Sequence, residues 1–332
     1  MNEDRLIGWL RRRAGSRLIG DDAAIISGSG SWVVTMDTQI SGVHFPPDLD
    51  PARIATRLLA VNLSDLAAMG AEPAYGFLAL AAPAGFDHRR FFEALLRGCR
   101  RHGLELAGGD LAGSPITTAA MTLLGRPAGG RLLTRGGARP GDVLWLGGPV
   151  GEAAAGCRLV GRGARLVGRR VRLPPGFEAS GIVERAARRA VRRHLSPTPQ
   201  LALGRWLSDR PSGAAIDVSD GLARDLHRLC AASDVGAELD LEKVPVPASL
   251  GSLAADLHCK WQDLVLAGGE DYVLLFTLPN QLEPPSDLRC TAVGTILRDR
   301  QVYVRYGGRR AVLGARGWDH LQTAPQSKKK AP

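Results

Sequence analysis

At 332 residues, with 45% hydrophobic and 23% charged content, the chain is long enough for two sizeable cores and has an ordinary globular composition. The opening 1–13 is charged and lacks an apolar h-region, no apolar run approaches the ~20 residues of a membrane span, and five widely spaced cysteines form no C-x-x-C pair. A membrane anchor, a disulfide framework and a zinc site are thereby disfavoured and a cytoplasmic location is expected, while the net charge of +10, nearly all arginine without interleaved aromatics, reads as a surface attractive to anions rather than a nucleic-acid groove.

Apolar periodicity predicts a helix over 3–13 and a strand over 32–37 ending at Asp37. Pro51 suits the first turn of a helix running to about Gly70. A strand over 73–82, a helix over 87–102, a short strand over 104–107 and a strand over 116–124 follow. The turn-rich segment 134–142 is the expected hinge, giving domains over 1–138 and 139–320 and a polar, disordered tail over 321–332. Beyond the hinge, strands are predicted over 143–146, 214–218, 237–241, 272–278, 291–296 and 302–306. Helices are predicted from 151–156 onward and over 178–193, 198–208 and 222–232. Strands and helices mix without strict alternation, which points to an α+β chain of two mixed α/β domains, the second a sheet flanked by helices.

The chemistry lies in seven aspartates held in five short segments: Asp21 and Asp22 after Gly20, Asp37 after Thr35 and Met36, Asp65 after Ser64, Asp110 after Gly108 and Gly109, and Asp217 and Asp220 around Ser219. Alone, each segment reads as a turn. Together, carboxylates at the ends of apolar elements suggest a magnesium cage, since that ion takes hard oxygen ligands and clustered carboxylates need cations to stay ionised. The segment from Gly151 to Gly156 has Walker-like glycine spacing, but Cys157 and Arg158 replace the phosphate-binding lysine and the hydroxyl residue, so it provides no P-loop. Gly268 and Gly269 let backbone approach a ligand beside Glu270. His44 reads by composition as a loop histidine, and Trp318 as either core or a stacking platform.

The ordered strings G-D-D-A-A, M-D-T-Q-I-S-G-V-H-F, V-N-L-S-D-L-A-A-M-G-A-E-P, A-G-G-D, L-T-R-G-G-A-R-P-G-D, A-I-D-V-S-D-G-L, G-G-E-D-Y and G-W-D-H span about 20–320. This set resembles the thiamine-monophosphate kinase family, within the superfamily of aminoimidazole-ribonucleotide synthetase and selenophosphate synthetase. The resemblance implies that Asp22, Thr35, Asp37, Asp65, Asp110, Asp217 and Asp220 hold several magnesium ions. It also implies that Thr35, Gly109, Asp110, Arg135 and Ser219 contact ATP, and that His44, Glu270 and Trp318 contact thiamine monophosphate. Asp110, Asp217, Asp220 and Arg135 would carry catalysis, with Asp21 supporting its turn. It implies a homodimer in which strands of two N-terminal domains form a shared β-barrel. One departure is Met36, where the family commonly has threonine, so a hydroxyl is lost. The Arg-rich stretch 158–172 matches no family string and receives no role.

The expected reaction is phosphoryl transfer from ATP to thiamine monophosphate. An aminoimidazole-ribonucleotide-synthetase-like activation of an oxygen for amination is the alternative, as is a non-catalytic nucleotide-binding scaffold. A hydrogenase-maturation relative is disfavoured because no cysteine follows Cys290.

Overall fold

Two sheets with helices packed on them organise the residues described in this computed structural model, 3–14, 21–28, 30–210 and 213–319. After helix α1 (Glu3–Ala14), the first sheet takes strands β1 (Ala24–Gly28), β2 (Gly30–Ile40), β3 (Ala71–Ala82), β4 (Glu105–Gly113) and β5 (Thr118–Pro127). Their spatial order is β1-β2-β5-β3-β4, with β3 and β4 parallel and the other neighbours antiparallel. Helices α2 (Pro51–Ala68) and α3 (His88–Arg101) lie between β2 and β3 and between β3 and β4 in the chain. The period-2 alternation of β5 sends Ala119, Met121 and Leu123 into the core, where Leu58, Leu63 and Leu66 of α2 are also buried. The opposite face of the sheet carries Met36, Tyr75 and Phe77, all exposed, and Leu111 on β4 is exposed too.

The second sheet uses β6 (Val143–Leu146), β9 (Ala215–Asp217), β10 (Gly236–Asp240), β11 (Leu274–Leu278), β12 (Thr291–Leu297), β13 (Val302–Tyr306) and β14 (Arg309–Val312). Its order is β14-β13-β10-β12-β6-β11-β9. A separate hairpin pairs β7 (Arg165–Val167) with β8 (Arg170–Arg172). Around them run α4 (Glu152–Gly161), α5 (Gly181–Leu195), α6 (Leu201–Ser208), α7 (Leu222–Ser233), α8 (Leu250–Asp256) and α9 (Trp261–Ala267). Gly156 sits where a Cβ would lie 2.0 Å from the Ala190 carbonyl, so α4 and α5 touch backbone to side face. No helix among the described residues is long and apolar enough to cross a membrane.

Several elements depart from the sequence-based expectation. β4 does not stop at Ala107 but runs through Gly108, Gly109 and Asp110, because β3 pairs with it along its length. A Cβ at Gly109 would lie 1.9 Å from the Leu78 carbonyl, so glycine is required for that pairing. β1, β14 and the β7–β8 hairpin arise by pairing with neighbours, which local composition does not announce. The strand predicted over 272–278 starts at Leu274, since Glu270 and Tyr272 take positive φ values of 65° and 50°. Helix α5 begins at Gly181 and α6 at Leu201, later than expected. The N-terminal strands form an open five-stranded sheet among the described residues. The tail 321–332 and His320 lie outside the described residues.

Candidate functional site

Helix α2 and strand β2 meet along one seam, and the site begins there. Thr35, Asp37 and Gln39 alternate onto the same side of β2, with Thr35 and Gln39 buried. Opposite them on α2 stand Asp65, Asn62 and Arg57. The Thr35 hydroxyl donates to Asp65 Oδ2, the Asp37 amide donates to Asn62 Oδ1 at 3.0 Å, and Arg57 Nε donates to Gln39 Oε1 at 2.8 Å. Met36 points to the other, exposed face of the sheet. The hydroxyl lost there is thus lost from the side opposite Thr35 and Asp37.

The far side of α2 meets β9, where Ser64 Oγ donates to Asp217 Oδ2 at 2.6 Å. Asp217 is buried at the end of its strand. Asp22, Asp65 and Asp217 consequently converge, each offering a carboxylate oxygen within 4.8 Å of the others'. Burial, then Asp37, Asp217 and Asp22, push Asp65 well above the usual carboxylate range. Burial, then Asp22, raise Asp217 likewise, with Asp225 and Asp37 adding to it and Ser64 opposing. Carboxylates this close, with hydroxyl donors beside them, form a hard oxygen donor set that suits magnesium.

Arg135 approaches from the connection between the sheets. Its Nη2 donates to Asp22 Oδ1 at 2.9 Å, and its amide donates to Asp21 Oδ1 at 3.0 Å. Burial would lower the guanidinium pKa, but Asp22 and Asp21 outweigh it and hold the charge. Burial and Asp22 push Asp21 up to about 6, against the opposing pull of Arg135. Asp220 is in a different setting: Arg228 Nη1 donates to its Oδ2 at 2.6 Å and to Asp225 Oδ1 at 3.1 Å. Asp225 also accepts from the amides of Asp220 and Gly221, both at 3.1 Å, which shapes the turn into α7.

The loop at Ser219 and Asp220 is a backbone hub. The Glu270 amide donates to the Ser219 carbonyl at 2.7 Å, and the Trp318 amide to the Asp220 carbonyl at 2.8 Å. Added Cβ atoms at Gly269 and Gly317 would lie 2.4 Å and 2.6 Å from those carbonyls, so both approaches need glycine. The Trp318 residue remains 50% exposed, a platform rather than core. Glu270 Oε2 accepts from Arg57 Nη2 and lies 2.9 Å from His194 Nδ1. Burial opposes ionisation of Glu270, but Arg57 and His194 outweigh it and bring the carboxyl down to about 2. His44 Nδ1 accepts from the Ile40 amide at 3.0 Å, which closes the turn after β2 and leaves the ring proton on Nε2.

Asp110 does not join the cluster within one chain. It is exposed on β4, opposite Ala79 in the β3 register. Three strand spacings, roughly 14 Å, separate β4 from β2. Sequence reasoning missed Arg57, His194, Ser64, Asn62, Asp225 and Arg228 as supports. Asn62 and Ser64 stand inside the V-N-L-S-D string, and Arg57 precedes Asp65 by two helical turns, a spacing that could have flagged a shared face.

The comparisons with known proteins accord with this geometry. Residues 20–126 match the family model of AIR synthase related protein, N-terminal domain, and 139–283 that of the C-terminal domain. A thiamine-monophosphate kinase of Escherichia coli strain K12 is 34% identical over 319 residues, covering 92% of each chain. The structure of AaThiL complexed with AMPPCP and TMP superposes with a TM-score of 0.82 at 28% identity, covering 96% of this chain and 97% of that one. The crystal structure of the thiamine-monophosphate kinase from Stenotrophomonas maltophilia K279a gives 0.69 at 34% identity, over 91% and 96%. By these likenesses over almost its whole length, the chain belongs to the thiamine-monophosphate kinase family.

Proposed function

We propose that this chain transfers the terminal phosphoryl group of ATP to thiamine monophosphate, giving ADP and thiamine diphosphate. The observation that carries the reading is the convergence of Asp22, Asp65 and Asp217 in a chain 34% identical to a thiamine-monophosphate kinase. Asp22, Thr35, Asp37, Asp65 and Asp217 would hold magnesium ions, with Asp220 at the rim. Magnesium bound there would supply the positive charge that lets two polyanions approach.

The chain's own groups supply the rest. The acceptor is a phosphate oxygen, ionised near neutral pH and nucleophilic as it stands, so no strong general base is required. Arg135 adds a fixed positive charge beside Asp22, where negative charge builds on the transferring group. Gly109 and Ser219 would contact ATP through backbone and hydroxyl. His44, Glu270 and Trp318 would bind the acceptor, the indole by stacking. Transfer is direct and in line, without a phospho-enzyme.

The functional form is a homodimer in the cytoplasm. The exposed Met36, Tyr75, Phe77 and Leu111 support this, since a sheet carrying large apolar side chains in solvent needs covering. Two such sheets face to face would close a shared barrel. In such a dimer Asp110 on β4 of one copy would serve the acidic cluster of the other.

The test is chromatographic detection of thiamine diphosphate from purified protein, thiamine monophosphate, ATP and magnesium. Turnover only with a formylglycinamidine substrate would replace this reading with the amination alternative.

A further inference from the structure

We propose that Arg57 is a positioning residue for the acceptor substrate: it clamps Glu270 across the seam between the two sheets so that one carboxylate oxygen is engaged by protein and the other is presented to the ligand. The proposal rests on the reading of Glu270 as a substrate contact.

Among the described residues Arg57 is the largest wholly buried side chain, with 0% exposure, and it lies mid-helix in α2. A guanidinium in that position is tolerated only if its donors are matched. They are matched by three separate elements. Nε donates to Gln39 of β2 at 2.8 Å, Nη1 to the His194 carbonyl at the end of α5, and Nη2 to Glu270 on the connection from α9 to β11. A planar fork can serve three acceptors at fixed angles, whereas a lysine ammonium cannot span them at once.

Glu270 itself is held in a conformation that its sequence does not favour. Its φ of 65° and that of Tyr272 at 50° are left-handed, which a non-glycine residue adopts only when its surroundings impose it. The amides of both residues are tied, to the Ser219 and Val218 carbonyls. The backbone therefore fixes where the carboxylate starts, and Arg57 fixes where it ends.

The asymmetry of that carboxylate is the informative part. Arg57 Nη2 and His194 Nδ1 both approach the same oxygen, Oε2. No described residue donates to Oε1, and the side chain keeps 21% of its surface exposed. An anionic oxygen held this way suits an N–H donor or a cationic ring and repels phosphate. It would therefore take the ring-bearing end of thiamine monophosphate and leave the phosphate for the magnesium side of the cleft. A buried ion pair of this kind adds little to stability over apolar packing, so orientation is the better account of its presence.

The test compares Arg57→Met, Arg57→Lys, Glu270→Gln and the double variant Arg57→Met/Glu270→Gln by steady-state kinetics. Arg57→Met should raise the KM for thiamine monophosphate on the order of 10-fold, with kcat and the ATP KM within about threefold, because the contact acts equally in ground and transition states. Glu270→Gln should match it, and the double variant should be no worse than Glu270→Gln, since both changes remove one interaction. Arg57→Lys should give an intermediate KM and, by keeping the charge, covers the case in which Arg57→Met does not fold. A wild-type KM in every folded Arg57 variant, alongside a raised KM in Glu270→Gln, overturns the positioning role alone. A wild-type KM in Glu270→Gln overturns both that role and the substrate contact. An equal loss in kcat and ATP KM would mark Arg57 as merely structural.

Discussion

Two groups of carboxylates share the seam between the sheets, and they are treated in opposite ways. Asp65 and Asp217 are driven toward the neutral form, by burial first and then by neighbouring carboxylates: Asp37, Asp217 and Asp22 act on Asp65, and Asp22, Asp225 and Asp37 on Asp217. Glu270, also set into the seam, is kept ionised down to about 2 because Arg57 and His194 overcome its burial. Among the described residues no side-chain cation contacts Asp65 or Asp217, whose partners are the hydroxyls of Thr35 and Ser64. The second group carries its counter-charge in the chain. The difference separates carboxylates that repel one another in a buried site from one that is held rigid before any ligand comes.

The largest effect should come from breaking the first group. Asp217→Asn or Asp65→Asn should cut turnover by on the order of 100-fold or more, because the proposed metal site would lose a charge that acts in the transition state. The metal-free variants should nonetheless melt no lower than wild type, since a repelled buried carboxylate has been neutralised. A calorimetric scan with and without magnesium checks this, and wild-type turnover in either variant would remove the cluster from catalysis.

That behaviour follows from features only partly readable in the sequence. The seven aspartates stood out because their segments follow or adjoin apolar stretches; Asp37, Asp65 and Asp110 lie inside β2, α2 and β4 rather than at their ends, and three of the seven do meet: Asp22, Asp65 and Asp217. Asp65 was legible because α2 is a long, strongly patterned helix opened by Pro51, with Asp50 accepting from the Ala52 amide. The Arg57 clamp was not legible, since its partners are 18, 137 and 213 residues away in the chain. The extension of β4 through Gly109 was hidden for the same reason: a glycine pair reads locally as a turn, and only the neighbouring β3 makes it a strand. Asp110 accordingly belonged to the pattern but not to the cluster of a single chain.

Asp110 offers the next test, because it asks whether the proposed metal site is complete in one copy. Asp110→Asn should also lower turnover about 100-fold. If β4 serves the partner's cluster, mixing Asp110→Asn with Asp217→Asn protein under conditions that exchange subunits should restore activity. A mixed dimer then has one site with both changes and one with neither. If Asp110 acts on its own chain's cluster, both sites of the mixed dimer stay defective and no activity returns.

The smallest and most discriminating effect concerns two adjacent residues. Asp271 follows Glu270 but accepts from the amides of Gly151 and Ala153 at the start of α4, at 2.8 Å and 3.3 Å. Burial raises it to about 7, against the opposing effects of those amides and Arg193. Its folded pKa exceeds the unfolded value, so the folded state binds the extra proton and this residue erodes stability as pH rises from about 4 to about 7. Glu270 has the reverse sign: its stabilisation is complete above about 4.5 and disappears only as pH falls toward about 2. Urea unfolding between pH 5 and 8 separates them. The stability of Asp271→Asn relative to wild type should climb by about 1–2 kcal/mol up to pH 7 and then level off. That of Glu270→Gln should stay flat across the same range. A slope for Glu270→Gln there would mean that Arg57 does not hold the carboxylate ionised, and the contrast between a prepaired corner and a cluster of mutually repelling carboxylates would dissolve.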